Sequence, residues 1–209
     1  MEAALSGAAF DIQAGIVNHS ENLNYIPANI NLSTCDNQIN AKYAREYVLH
    51  RVLKHLHGSY DYILIDCPPT LGMLTANALT TATHAIIPTQ AQYYSILGMR
   101  TLIGNINEIQ ESVNSSLQIS GVLMNMTDMR NNHTKHVVKE IRKEHGDSIG
   151  VFQTQIPRSV RAEESALWGQ SVLELKKAKT VSDAYRAFSA ELIKKFHTPK
   201  EKIASMTAL

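Results

Sequence analysis

Asp66 closes the run Tyr60-Asp61-Tyr62-Ile63-Leu64-Ile65 and is followed by Cys67-Pro68-Pro69. A carboxylate delivered by the end of an apolar strand can hold a magnesium-bound water, the metal side of a phosphoryl-transfer site. The same arrangement also caps a following helix, so the aspartate alone does not choose between them. A second group is cationic: Arg130, Arg158 and Arg161, with Lys135, Lys139, Arg142 and Lys143 on a stretch of helical pattern. Accessible cations of this kind contact phosphates in a salt-sensitive way, whereas an ordinary solvated helix face is the alternative for the last four. His133, His136 and His145 have no paired cysteines or carboxylates at ligand spacing, so no metal site is expected there. Cys35 and Cys67 stand far apart and read as free thiols.

The elements that must position these groups follow from periodicity. Residues 1–20 show no sustained pattern and read as loop or frayed helix, and Leu23 to Pro27 reads as the end of a strand. Residues 42–57 carry helix formers with weak amphipathicity. Tyr60 to Ile65, rich in aromatic and branched residues and stopped by Asp66 and a proline pair, predicts a strand covered on both faces. Helix and strand then alternate: helix Leu71–Ala82, strand His84–Pro88, helix Tyr94–Val113, strand Ile119–Met124, helix Thr134–His145, strand Val151–Ile156, a short helix Val160–Trp168 and a last helix Val181–Phe196. Ile96, Met99, Leu102, Ile103, Ile106, Ile109 and Val113 make one buried face; Val181, Ala184, Tyr185, Phe188, Leu192 and Phe196 make another. Trp168 is expected in a core or interface. This rhythm predicts an α/β fold, a mostly parallel sheet with helices on both faces and ligands beyond the carboxyl ends of its strands.

Composition sets the class. A chain of 209 residues with 44% hydrophobic content can bury one sizeable core, and one domain is the expectation. There is no long apolar run and no basic-then-apolar leader pattern, so neither a membrane span nor a signal peptide is expected, and a cytoplasmic protein is. Charge is segregated. Residues 1–129 hold 5 Lys+Arg against 10 Asp+Glu, a balance of −5, and residues 130–209 hold 15 against 9, a balance of +6. A basic C-terminal part fits an anionic partner such as nucleic acid, and equally a set of solvated helix faces.

Longer strings carry a resemblance. Asp66-Cys67-Pro68-Pro69-Thr70-Leu71-Gly72, then Leu74-Thr75-Ala76-Asn77-Ala78-Leu79, is similar to the switch II region of the ParA/Soj partition ATPases, deviant Walker-type P-loop enzymes of the MinD/ParA group. In the same order follow Ile87-Pro88-Thr89-Gln90, Gly121-Val122-Leu123-Met124-Asn125-Met126, Asp128-Met129-Arg130 and Ile156-Pro157-Arg158-Ser159-Val160-Arg161. The resemblance covers about residues 22–197; 1–21 reads as an irregular segment and 198–209 as a tail without the basic amphipathic stripe of a membrane-targeting helix.

The resemblance implies an ATP-dependent dimer that binds DNA non-specifically, is regulated by a ParB-like centromere-binding partner and works on the nucleoid in the cytoplasm. It implies that Asp66 holds magnesium through water and serves catalysis, and that Cys67, Pro68 and Pro69 form switch II. Asn125, Met126, Pro157 and Arg158 frame the nucleotide, with Arg158 near the ribose, and Arg130 and Arg161 contact DNA. Gln92, Leu97 and Ala166 depart from the family pattern, and the chain contains no Gly-Lys pair, the core of a phosphate-binding loop. ATP hydrolysis by this chain alone is therefore not expected, and a fragment lacking the first strand, phosphate loop and first helix is the favoured explanation. The alternative is a non-catalytic protein that regulates an intact homologue by mixed dimerisation.

Overall fold

The computed structural model describes residues 11–68 and 70–196. The chain divides into two compact units, Met1–Ala85 with Leu102–Gln118 and Ile86–Thr101 with Ile119–Leu209.

The first unit opens with an antiparallel hairpin, β1 (Val17–Ser20) and β2 (Leu23–Tyr25), in which Val17 faces Tyr25 and Asn18 faces Asn24. Order thus begins before Leu23, in a stretch whose polarity hides it: the backbone ladder is supplemented by the Asn18–Asn24 side-chain hydrogen bond at 2.9 Å, and all four residues of β1 are exposed. Two short helices follow, α1 (Cys35–Asn40) and α2 (Val48–Leu53). Cys35 and Ile39, four apart, bury one stripe with Val48; Val52 and Leu56 bury another with Ile12 and Tyr60. Helix α3 (Met73–Thr81) is stitched to α2 by Asn77, which is fully buried. Its Nδ2 donates to the carbonyls of Arg45 and Met73, both at 2.9 Å, and its Oδ1 accepts from the Leu49 amide at 3.0 Å. Asn114 donates to the last carbonyls of this helix, Leu79 and Ala82, closing its C-terminus.

Tyr60 to Ile65 is not the buried strand that its composition predicts. The segment lies in no ladder, and Tyr62, Ile63 and Leu64 are 51%, 46% and 85% exposed. A run of branched and aromatic residues becomes a strand when neighbours take its N–H and C=O groups, and the described residues supply no such neighbour.

Three strands, β3 (His84–Thr89), β4 (Gln118–Thr127) and β5 (Val151–Pro157), all but His84, Ala85 and Gln118 in the second unit, lie in the order β3-β4-β5 with β4 and β5 parallel. Helix α4 (Tyr93–Ser112) connects β3 to β4. Met99 and Ile106 of its predicted apolar face are buried and the other five members partly so. Helix α5 (Asn132–His145) buries Thr134, Val137, Val138 and Ile141 and turns Lys135, Lys139 and Lys143 to solvent. Helices α6 (Val160–Trp168) and α7 (Lys179–Phe196) complete the unit. Its core joins Leu123 of β4, Phe152 and Ile156 of β5 and Val181 of α7, with Phe188 set edge-on against Phe152 at 5.0 Å. Tyr185 falls outside the stripe and is exposed, and Trp168, at 65% exposed, belongs to no core. Gly121, with φ of 141°, passes so close to the next strand that a Cβ would meet the Gly150 carbonyl at 3.2 Å. The parallel pair and its flanking helices agree with the α/β fold expected from the alternating pattern.

Candidate functional site

Two irregularities distort the β4–β5 pair, one in the first half of β5 and one at the carboxyl ends of both strands. Between the rungs Val122↔Val151 and Met124↔Gln155, β5 advances four residues against two on β4. Between Met124↔Gln155 and Thr127↔Pro157, β4 carries the extra residue. The second bulge is centred on Met126, whose φ of 51° is left-handed; its amide is satisfied at 2.9 Å by the side chain of Asn125. Such bulges re-aim the residues that follow, here Thr127 and Asp128 on one strand and Pro157 and Arg158 on the other. The Arg158 amide donates to the Thr127 carbonyl at 3.0 Å, continuing the pairing past the strand ends.

The first bulge is gripped from both sides. Arg142 of α5 donates to the carbonyls of Phe152 and Gln153 at 2.8 and 3.1 Å and to the Gln153 side chain at 3.3 Å. Glu191 of α7 accepts from the amides of Gln153 and Thr154 at 2.7 and 2.9 Å. Burial alone would raise the Glu191 pKa, but those two amides and the Arg142 charge outweigh it, so the carboxyl sits below its ordinary value. Arg142 is therefore committed to β5 rather than turned outward with the lysines of α5.

Beyond these strand ends lies a cleft of about 760 Å³ lined by Thr127, Asp128, Met129, Arg130, Gln153, Gln155, Pro157, Arg158 and Val160, with Thr180 and Ala184 of α7. At its rim the Arg130 guanidinium donates to both Asp128 oxygens, at 2.9 and 2.8 Å. That side-chain pairing, with the Arg130 amide on the same carboxylate, holds Asp128 down to about 2. Arg161 is paired with Glu164 on α6. Of the oxygens and nitrogens in the lining, the Gln155 Oε1 is buried without a partner.

Pro157 and Arg158, read from the sequence as nucleotide-framing, line this cleft. Asn125 and Met126 do not; they shape the bulge that leads into it, and the Met126 sulfur accepts from Gln90. Asp66, Cys67 and Pro68 belong to the first unit and are exposed. Partial desolvation of the Cys67 thiol, then the neighbouring Asp66 charge, holds that thiol above its ordinary value. Pro69 lies outside the described residues. Sequence reasoning missed Gln153, Gln155, Thr180 and Glu191. The only signal was the two-residue spacing of the glutamines, the period of one strand face, and both line the cleft. No cluster of metal-ligating side chains occurs among the described residues, and no described helix is long and apolar enough to cross a membrane.

Residues 3–119 match the model of a family described as an AAA domain, over more than half of the chain. The sporulation initiation inhibitor protein Soj of Bacillus subtilis is 39% identical over 153 residues, covering 73% of this chain and 60% of Soj. The chromosome partitioning protein ParA of Caulobacter vibrioides is 33% identical over 202 residues, covering 96% of this chain and 75% of ParA. Among solved structures, cobyrinic acid a,c-diamide synthase of Mycobacterium smegmatis superposes with a TM-score of 0.76 at 29% identity, covering 94% of this chain and 72% of that one. The same synthase with bound ADP and magnesium gives 0.68 at 32%, covering 76% and 63%.

Proposed function

Because the chain belongs to the ParA/Soj family of P-loop ATPases, we propose that it serves DNA partitioning and that the cleft beyond β4 and β5 is the base side of its nucleotide site. The observation that carries this reading is the convergence of Thr127, Asp128, Pro157 and Arg158 on one cleft at the carboxyl ends of parallel strands, where open α/β sheets bind ligands. Pro157 and Val160 offer an apolar wall for a flat ring, and Arg158 a cation for the ribose side. Magnesium would be held through water by Asp66, where it supplies charge neutralisation for phosphoryl transfer, and Cys67, Pro68 and Pro69 would form the loop that senses the terminal phosphate. These 209 residues contain no Gly-Lys pair, so on their own they bind the base weakly and do not turn over ATP. Titration of labelled ATP with and without magnesium tests this: weak, magnesium-independent binding is the expected result, and tight magnesium-dependent binding refutes it.

Non-specific DNA would be held by the cations of the second unit. Arg130 and Arg161 each carry a carboxylate partner that a phosphate must displace, whereas Lys135, Lys139 and Lys143 form an unobstructed row along α5. DNA retention at low salt should fall in an Arg130→Ala, Arg161→Ala variant, and the lysine row should carry the larger share of the salt dependence. Retention unchanged in both sets removes this surface from the function. A ParB-like partner and an ATP-dependent homodimer belong to the same reading.

A second reading, a non-catalytic partner of an intact homologue, draws on the exposed apolar run Tyr62-Ile63-Leu64. Co-purification with a full-length ParA homologue supports it, and a monomer that captures none counts against it.

A further inference from the structure

We propose that two copies of this chain associate without nucleotide by pairing Tyr60–Ile65 antiparallel with itself, about a two-fold axis that passes beside Ile63. The occupant of this exposed edge is a second copy, and the inference does not depend on the reading of the cleft in the second unit.

Three observations converge. The first is an unmet backbone demand. Tyr60–Ile65 lies in no ladder, and among the described residues none of its amides or carbonyls meets another backbone group. A row of unpaired donors and acceptors invites a further strand, and aromatic and branched residues are the types that pleated pairing favours. The run is anchored at its start: Tyr60 packs against the core of Ile12, Val52 and Leu56, and its hydroxyl accepts from Asn24 at 3.0 Å.

The second is uncovered apolar area. Tyr62, Ile63 and Leu64 are 51%, 46% and 85% exposed. Their exposed parts amount to roughly two whole side chains, on the order of 300–400 Å² per copy. Two copies together cover at most about 600–800 Å², below the roughly 1,200 Å² at which standard interfaces begin, so the association is weak and depends on concentration.

The third is the sequence of the run, which selects one register. Facing residues of an antiparallel pair share a face of the sheet, so in a two-fold pair one residue faces its own counterpart. With Ile63 in that place, Tyr60 to Asp66 pair end to end: Tyr62 faces Leu64 twice, Asp61 faces Ile65 and Asp66 faces Tyr60. With Asp61 or Asp66 on the axis, like charges stand directly opposite each other, which is destabilising. With Leu64 or Ile65 on the axis, Pro68 enters the pairing and has no N–H to give. With Tyr62 on the axis, Asp66 falls against Gly58, outside the run. The Ile63 register thus joins the apolar residues and separates the carboxylates, and a two-fold contact of this kind stops at two copies.

The test uses the full chain without nucleotide. Sedimentation velocity over roughly 5–500 µM should show a reversible monomer–dimer equilibrium with a dissociation constant above about 1 µM. Leu64→Lys should weaken association by about tenfold or more with an unchanged amide spectrum, and Leu64→Gln should do the same if the lysine variant fails to fold. Cross-linking reads the register, in a Cys67→Ser background that removes the exposed native thiol. Facing residues stand about 4.5–5.5 Å apart between Cα atoms, within disulfide reach, whereas the two copies of Leu64 face each other diagonally at about 7–8 Å, beyond it. Under mild oxidation Ile63→Cys should therefore link into a covalent dimer about tenfold faster than Leu64→Cys, or more. A chain that stays monomeric over the whole range, with Ile63→Cys unlinked, overturns the proposal and leaves the edge to another segment of the chain or to an intact homologue. Equal linking of the two cysteines also overturns it, because the contact is then unspecific apolar sticking with no fixed register.

Discussion

Glu191→Ala is the most direct probe of how the second unit holds its strand ends. The carboxylate accepts two backbone amides, Gln153 at 2.7 Å and Thr154 at 2.9 Å, and faces the Arg142 guanidinium. Hydrogen bonds to a charged acceptor contribute about 1.5–3 kcal/mol each. Gln153 is exposed and its freed amide regains water, so the lower end applies and the two losses do not add in full. A destabilisation of about 2–3 kcal/mol follows for the unit that contains β5, with Glu191→Gln retaining roughly half of it through its remaining carbonyl oxygen. Urea denaturation gives the free energy, and amide hydrogen exchange assigns the loss to Gln153, Thr154 and their neighbours rather than to the first unit. The sign with pH is fixed. The folded pKa lies below the ordinary value, so this contribution is present above the ordinary carboxylate range and disappears as pH falls through the lowered value. A loss below about 0.5 kcal/mol with unmoved Gln153 and Thr154 amide shifts would show that the bulge holds itself and that Glu191 only decorates it.

Asn77→Leu should cost about 1–3 kcal/mol in denaturant unfolding, because it takes from the partly buried Leu49 amide and the Arg45 carbonyl the side chain that joins them to α3. Leu64→Lys, at a position 85% exposed, should change stability by less than about 0.5 kcal/mol while lowering self-association measured by light scattering; a larger destabilisation would mean that the run is covered after all. The Asp128 carboxyl carbon should titrate near 2, so its pairing with Arg130 is intact above the ordinary carboxylate range and opens as pH falls through about 2. In Arg130→Ala the midpoint should return toward the ordinary range without a measurable stability change, since both groups are solvent-accessible.

What was legible in the sequence depended on whether a signal was local. Helices α4 and α7 were readable because an apolar stripe at three- and four-residue spacing can be buried in only one way, and β3, β4 and β5 because short branched runs between helices leave few alternatives. Pro157 and Arg158 were named through a resemblance and not through any pattern; both line the cleft. The strand predicted at Tyr60–Ile65 shows the limit. Hydrophobic composition reports that a segment would gain from burial, not that a ladder partner exists to bury it, and here the partner is not among the described residues. The opposite error hid β1, whose Val-Asn-His-Ser carries no apolar face yet pairs with β2 in an antiparallel ladder. Gln155 was invisible for a related reason. Two glutamines at alternate positions of a strand read as a solvated edge, and only the structure shows that Arg142 satisfies the oxygen of one while that of the other is buried beside the cleft with no donor. Polar residues inside a sheet are thus informative in proportion to the bonds they fail to make, a quantity that depends on neighbours ten to forty residues away and has no periodic trace along the chain.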